Sequence, residues 1–139
     1  MRTLALDPGR KRIGVAISDP TGTIAQPLET IQVRTKREVI DRLQQLVREL
    51  SVDEILVGLP RTAEGELGPQ AKRVLGWARH FDRYLGVPVI FRDESFSSQE
   101  AERILIERAT PRRRREARLD AVAAAVVLQD YLDARSMKP

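Results

Sequence analysis

The sequence predicts an α/β domain with a five-stranded mixed sheet flanked by helices. Three observations carry that reading: short apolar segments split by turn residues at the start, an alternation of helical and extended periods after them, and no repeat, heptad series or linker in the 139 residues. Thr3 to Asp7 is a short buried strand ended by Pro8-Gly9, Ile13 to Ser18 a second, and Gln26 to Val33 a third, after the Asp19 to Gly22 turn. Strands this close in sequence form a meander. Thr35 and Glu38 then compose a capping box, and Val39, Ile40, Leu43, Leu46, Val47 and Leu50 recur at helical spacing. Glu54 to Gly58 is a fourth strand. Pro69 suits a first helical turn, Val74, Leu75, Ala78, Phe81 and Leu85 give that second helix an inward face, and Gly86 stops it. Val87 to Phe91 is the fifth strand, in which Pro88 demands an edge position or the strand start. Asp93-Glu94 closes it, and Ser97 with Glu100 caps a helix carrying Ala101, Ile104 and Leu105. Pro111 and four adjacent arginines predict a mobile basic loop over 109–115 before a last helix from about Arg118 to Leu132. One domain is expected over 1–134, with a frayed tail at 135–139.

Composition excludes several chemistries. A chain of this length hides about two-thirds of its surface on folding, so its core needs no staple. With no cysteine there is no disulfide framework, zinc-thiolate or iron–sulfur centre, and no cysteine nucleophile. The opening MRTLALDPG is interrupted too early by Asp7 to act as a secretory signal, and the longest low-charge run, Ala121 to Gln129, falls well short of the roughly 18 residues needed to span a bilayer. A cytoplasmic protein without membrane attachment is the expectation. Lys and Arg number 24 against 20 Asp and Glu, a net of +4. That net is unevenly placed, because seven Arg and two Glu between Arg103 and Arg118 give a local +5. The planar, multi-donor guanidinium suits phosphate, although an arginine-rich proteome would produce the same count.

Three acids stand where an acid needs a reason. Asp7 ends an apolar strand beside a Pro-Gly turn, at the kind of sheet rim where ligands bind, or it simply accepts backbone hydrogen bonds in that turn. Asp93 and Glu94 repeat the arrangement; successive strand residues face opposite ways, so one of them shares a site with Asp7, and Glu94 is preferred with Asp93 in reserve. Asp120 lies three, four and seven residues before Ala123, Ala124 and Val127, on a helix face that should be buried. Burying it requires an arginine or helix-end partner, or a divalent cation shared with Asp7 and Glu94. Three carboxylates without cysteine suit Mg²⁺ or Mn²⁺ rather than zinc. His80, the single histidine, has no ligand or nucleophile spacing around it and reads as structural or surface. Trp77, Phe81 and Tyr84 read as packing rather than a base-stacking platform.

Two loops have the make-up of phosphate cradles. Gly9 and Gly14 bracket Arg10, Lys11 and Arg12 directly after Asp7, and Gly58-Leu-Pro-Arg61 is followed by Gly65 and Gly68. No P-loop or dinucleotide fingerprint is present. Basic loops around a carboxylate-bound metal point to phosphodiester hydrolysis.

Four separated motifs, Leu6 to Asp19, Val57 to Arg61 with Gly65 and Gly68, Val89 to Ser98, and Leu119 to Gln129, together resemble the YqgF/RuvX family in order and over nearly the whole chain. The resemblance implies a ribonuclease H-like fold related to RuvC Holliday junction resolvases, with members associated with maturation of the 16S rRNA 5′ end and some with junction resolution. It places the acidic set on Asp7, Glu94 and Asp120 and puts Arg10, Lys11, Arg12 and Arg61 in substrate-side loops. Ser95 stands where the family motif has arginine, and Arg92 or the Arg112, Arg113, Arg114 and Arg115 segment is the candidate replacement. The expected activity is metal-dependent cleavage of structured RNA, chiefly in pre-16S rRNA processing. Its rivals are resolution of branched DNA by a homodimer, a noncatalytic nucleic-acid-binding or ribosome-assembly factor, and, at a distance, a phosphotransferase that would need a second lobe.

Overall fold

Side-chain size along the strands decides which face of the sheet each helix covers. In the computed structural model the described residues are 1–9, 12–60, 69–94 and 112–136, with 60, 70, 93, 94 and 112–119 described by their backbone. Five strands, β1 (Thr3–Pro8), β2 (Arg12–Ser18), β3 (Ala25–Gln32), β4 (Glu54–Pro60) and β5 (Val89–Glu94), form one sheet in the order β3-β2-β1-β4-β5. The first three run antiparallel, as a meander must, while β4 and β5 are parallel to β1. Parallel neighbours need crossovers; α1 (Lys36–Glu49) leads to β4, and α2 (Pro69–Ala78) with α3 (Phe81–Leu85) leads to β5. A long helix, α4 (Arg112–Ser136), follows.

Period-2 alternation separates two cores. Leu4, Leu6, Ile13, Val15, Ile17, Ile55 and Val57 face α1, α2 and α3, whose Val39, Leu43, Val74 and Phe81 complete a branched, aromatic-plugged layer. The opposite face carries Ala5, Ala16 and Leu56 and is covered by Ala124, Val127, Leu128 and Leu132 of α4. Small residues on both sides let this helix lie close to the sheet. Pro27 sits in the edge strand β3 next to a register shift opposite Val15 and Ala16, where its missing N–H costs no ladder bond.

The elements follow their sequence signals with four differences. Thr35 caps α1, its hydroxyl accepting from the Glu38 N–H at 3.1 Å. The second helix is broken into α2 and α3 around Arg79 and His80, and Gly86 ends it with φ of 70°, a left-handed cap that glycine adopts without strain. The fifth strand begins at Val89, after Pro88, at a sheet edge, and extends to Glu94. The basic loop expected at Arg112–Arg115 is instead the first turn of α4. Arginine is a good helix former, proline suits the position before a helix it cannot prolong, and like-charge repulsion on a helix costs only about 0.2–0.5 kcal/mol per pair. The last helix also ends later than expected, since Arg135 and Ser136 still belong to α4. The helix expected around Ser97 to Leu105 lies outside the described residues.

A buried ionic cluster fastens the C-terminal end of α4. Glu54 is 4% exposed, and its Oε1 accepts from Thr3 Oγ1 at 2.8 Å, Tyr131 OH at 3.2 Å and Arg135 Nη1 at 2.6 Å. Burial, followed by the Glu54 charge, raises the Tyr131 phenol above its ordinary range, so it stays a donor at neutral pH. Removing the cation leaves a buried carboxylate without its charge partner. Arg135→Ala is therefore expected to cost about 2–3 kcal/mol in urea unfolding, below the full buried-pair penalty because the arginine is partly solvated. An unchanged midpoint would show the pair to be idle.

The turn after β2 is held by Asp19, which accepts from the N–H groups of Thr23 and Ile24 at 2.8 Å and from the Thr21 hydroxyl. The Ile24 N–H contributes most, followed by the Thr21 hydroxyl and the Thr23 N–H, and together they hold this carboxyl far below the usual carboxylate range. A carboxyl depressed in the folded state supports folding above its unfolded pKa and loses that support only as pH falls through the depressed value. In a carboxyl-detected NMR titration Asp19 should remain ionised at about pH 3, where an ordinary aspartate is mostly protonated. Titration near 4 would refute the turn's role.

Candidate active site

Because β1, β4 and β5 are parallel, their C-terminal ends meet at one edge of the sheet, and the candidate acids lie there. Asp7, 9% exposed, is the next-to-last residue of β1 and pairs directly with Gly14 on β2. Directly paired antiparallel residues share a face. That face is the one α4 covers: a Cβ added to Gly14 would fall 1.8 Å from the Asp120 carbonyl oxygen. Gly14 is thus the contact through which the backbone of α4 at Asp120 rests on the sheet beside Asp7, although 113 residues separate the two acids in sequence. The Asp120 carboxylate extends over the β1–β2 turn. Its Oδ1 lies 3.5 Å from the position a Gly9 Cβ would take, and its Oδ2 accepts from Arg12 Nε at 2.8 Å. The turn itself is closed by the Gly9 N–H donating to the Arg12 carbonyl at 2.8 Å.

Arg12 was expected to face substrate, and it is the ion-pair partner that a half-buried Asp120 requires. Position 94 pairs with Pro60 and follows Ile90 and Arg92 in the alternation of β5, whereas 93 follows Val89 and Phe91. Ile90 packs in the α4 core and the Arg92 guanidinium lies 5.9 Å from the centre of the Tyr131 ring, also on α4. Glu94 therefore occupies a strand position on the α4 side of the sheet and Asp93 one on the other side. Gly58 lies between β1 and Arg92 on the same face, where a Cβ would meet Val127 at an ordinary van der Waals distance of 3.5 Å. His80 is exposed at the α2–α3 break, as a surface histidine. Arg10, Lys11 and Arg61 lie outside the described residues, as does Ser95; Arg112, Arg113, Arg114 and Arg115 are placed by backbone at the N-terminal end of the helix that carries Asp120.

Among the described residues no group of three or more histidine, cysteine or acidic side chains comes together. The chemistry of the two acids fits a hard divalent cation: both are carboxylates, on rigid elements, with one Asp120 oxygen committed to Arg12 and the other turned to the Gly9 turn. Sequence reasoning did not find the Glu54, Tyr131, Arg135 cluster. The only signal was an acid opening an otherwise apolar strand, and its partners lie more than 75 residues away. Among the described residues no helix is long and apolar enough to cross a membrane.

The fold is the ribonuclease H fold of RuvC-like resolvases. The chain superimposes on Thermus thermophilus RuvC in complex with a Holliday junction substrate with a TM-score of 0.63 at 19% identity, covering 98% of this chain and 96% of that one. For the fowlpox virus Holliday junction resolvase the TM-score is 0.57 at 15% identity, with 96% and 99% covered. The family model described as RuvX, Holliday junction resolvase, matches residues 1–134, and the chain belongs to that nuclease family. A Moorella thermoacetica protein is 48% identical over 133 residues, covering 96% of this chain and 95% of its own. A Thermoanaerobacter pseudethanolicus protein is 42% identical over 139 residues, covering 99% and 100%. Both carry the provisional name pre-16S rRNA nuclease.

Proposed function

We propose that the chain is a divalent-metal-dependent endonuclease acting on structured RNA, with the 5′ extension of pre-16S rRNA as its cytoplasmic substrate. The observation that carries the proposal is the meeting of Asp7 and Asp120 across Gly14 at the C-terminal edge of the parallel strands. The names of the 48% and 42% identical relatives supply the substrate. Asp7, Asp120 and Glu94 would hold Mg²⁺ or Mn²⁺, with Asp93 in reserve. When bound, such an ion supplies an activated water and neutralises charge growing on the scissile phosphate. The chain's own groups do the positioning. Asp7 is fixed by the β1–β2 ladder, and Arg12 holds the Asp120 carboxylate in one orientation while offsetting its charge. The cations of Arg10, Lys11, Arg61 and Arg112–Arg115 are assigned to the phosphate backbone on either side of the bond cut. Products with a 5′-phosphate and a 3′-hydroxyl follow by analogy with the fold.

Incubating the purified chain with a 5′-extended 16S fragment, with Mg²⁺ or Mn²⁺ and with a chelator, tests this reading: cleavage confined to the metal-containing reactions supports it, and salt-sensitive binding without turnover sinks it in favour of a noncatalytic factor. The likeness to a resolvase on junction DNA supports a second reading, cleavage of four-way junctions. Symmetric resolution needs two sites presented by a homodimer. A chain that stays monomeric on junction DNA in solution-mass measurements would exclude it.

A further inference from the structure

Besides the Arg10-Lys11-Arg12 turn, positive charge outweighs negative in two longer segments. Residues 69–86 carry four cations against Asp82, a local +3, and 103–118 carry +5, so the remaining residues sum to −4. The second segment runs into the helix of Asp120; the first builds α2 and α3, which pack on the opposite face of the sheet. Lys72, Arg73, Arg79 and Arg83 are all exposed, because Ala71, Val74, Ala78, Phe81 and Leu85 use up the inward positions. None of the four forms an ion pair with a described residue, whereas Arg12, Arg37, Arg42 and Arg135 are each matched to an acid. Arg73 lies 5.2 Å over the Trp77 ring instead. The surface between them is unobstructed: a Cβ at Gly76 would meet nothing within 4 Å.

We infer that the outer face of α2 and α3 is a second nucleic-acid contact, gripping the phosphate backbone of a duplex part of the substrate away from the bond that is cut. This rests on the nuclease reading above. Charge complementarity selects the occupant. Lys72 on α2, Arg79 at the break and Arg83 on α3 are all exposed along these two consecutive short helices. A duplex offers one phosphate per about 1.7 Å of axis, so several fall within reach, and solvated, unpaired arginines lose nothing by switching to them. An acid-paired surface would have to break its own pairs first. The arrangement selects substrates long enough to reach both faces of the sheet, and a short oligonucleotide would engage the acidic edge alone.

The test compares the full chain with a Lys72→Gln, Arg79→Gln, Arg83→Gln variant, both also carrying Asp7→Asn to block turnover, for binding to a stem-containing RNA across a salt series. Loss of three phosphate contacts should make the slope of log affinity against log salt shallower by about 2.7 and weaken binding at least about tenfold at 0.15 M salt. In proteins that keep the native Asp7, cleavage of a short oligonucleotide should be unaffected by the triple substitution. An unchanged slope overturns the inference, as does an unchanged slope with lost binding to anionic vesicles, which would hand the face to a membrane surface. If the chain cleaves no nucleic acid, the nuclease reading fails, and the salt slope still decides this one.

Discussion

Gly14→Ala is expected to destabilise the protein by at least about 3 kcal/mol and to abolish its activity. In most glycine positions with ordinary backbone angles an added methyl group is tolerated, and it stabilises by about 0.4–1 kcal/mol through the unfolded chain. Here the new Cβ would lie 1.8 Å from the Asp120 carbonyl oxygen and 2.3 Å from its carbonyl carbon. Both are backbone atoms in a helix packed along its length, so no side-chain rotation relieves the overlap. Either α4 lifts off the sheet, opening the Ala5, Ala16, Ala124 and Leu128 core, or β2 bends away from β1. Overpacking in a tight core costs about 1–3 kcal/mol where side chains can move, and more where they cannot. Gly76→Ala is the internal control. Nothing lies within 4 Å of its Cβ and it sits within α2, so the same substitution there should raise stability by up to about 1 kcal/mol. Urea midpoints of the two variants on opposite sides of wild type support the packing; midpoints that coincide contradict it.

Asp7→Asn is expected to lower the cleavage rate by about a thousandfold or more while leaving the fold intact. The amide keeps the shape of the carboxylate, so the strand pairing with Gly14 survives, but it removes the charge that would hold a divalent cation. Loss of about 4 kcal/mol of metal-borne charge stabilisation corresponds to roughly a thousandfold in rate. Thermal stability should move little, because the amide keeps the shape of the carboxylate at this buried position and one oxygen that can accept a hydrogen bond. A melting temperature close to wild type with the rate gone separates this variant from Gly14→Ala, in which both fall. Full activity in Asp7→Asn would remove the acid from the site.

How far the sequence could be read depended on the range of the interaction behind each feature. Local signals were legible: the Thr35 cap, the Gly86 stop and the alternation of β1 and β2 rest on neighbours within a turn or a strand. The mixed sheet, three meandering strands and two more reached through helices, followed from short turns against long crossovers, while the strand order needed the structure. The basic segment at 112–115 was misread because repulsion between adjacent arginines was weighted above their helix propensity. At the candidate site the acids were visible as charges in apolar surroundings, since burial of an acid always demands a partner. The partner was not visible. Arg12 meets Asp120 across 108 residues, and only the close seating of α4 on Gly14 brings them together, a contact that a missing side chain leaves unmarked in the sequence.

The central claim is that Asp7 and Asp120 belong to one hydrolytic unit, and a double-substitution cycle tests it most directly. Single-turnover cleavage of the 5′-extended 16S fragment in Mn²⁺ is measured for wild type, Asp7→Asn, Asp120→Asn and the pair. Residues that act as a unit lose their effect together, so the pair should be no slower than the slower single variant, each single already being down by about a hundredfold or more. Rate losses that multiply, or a single variant cleaving at the wild-type rate, would contradict a shared site.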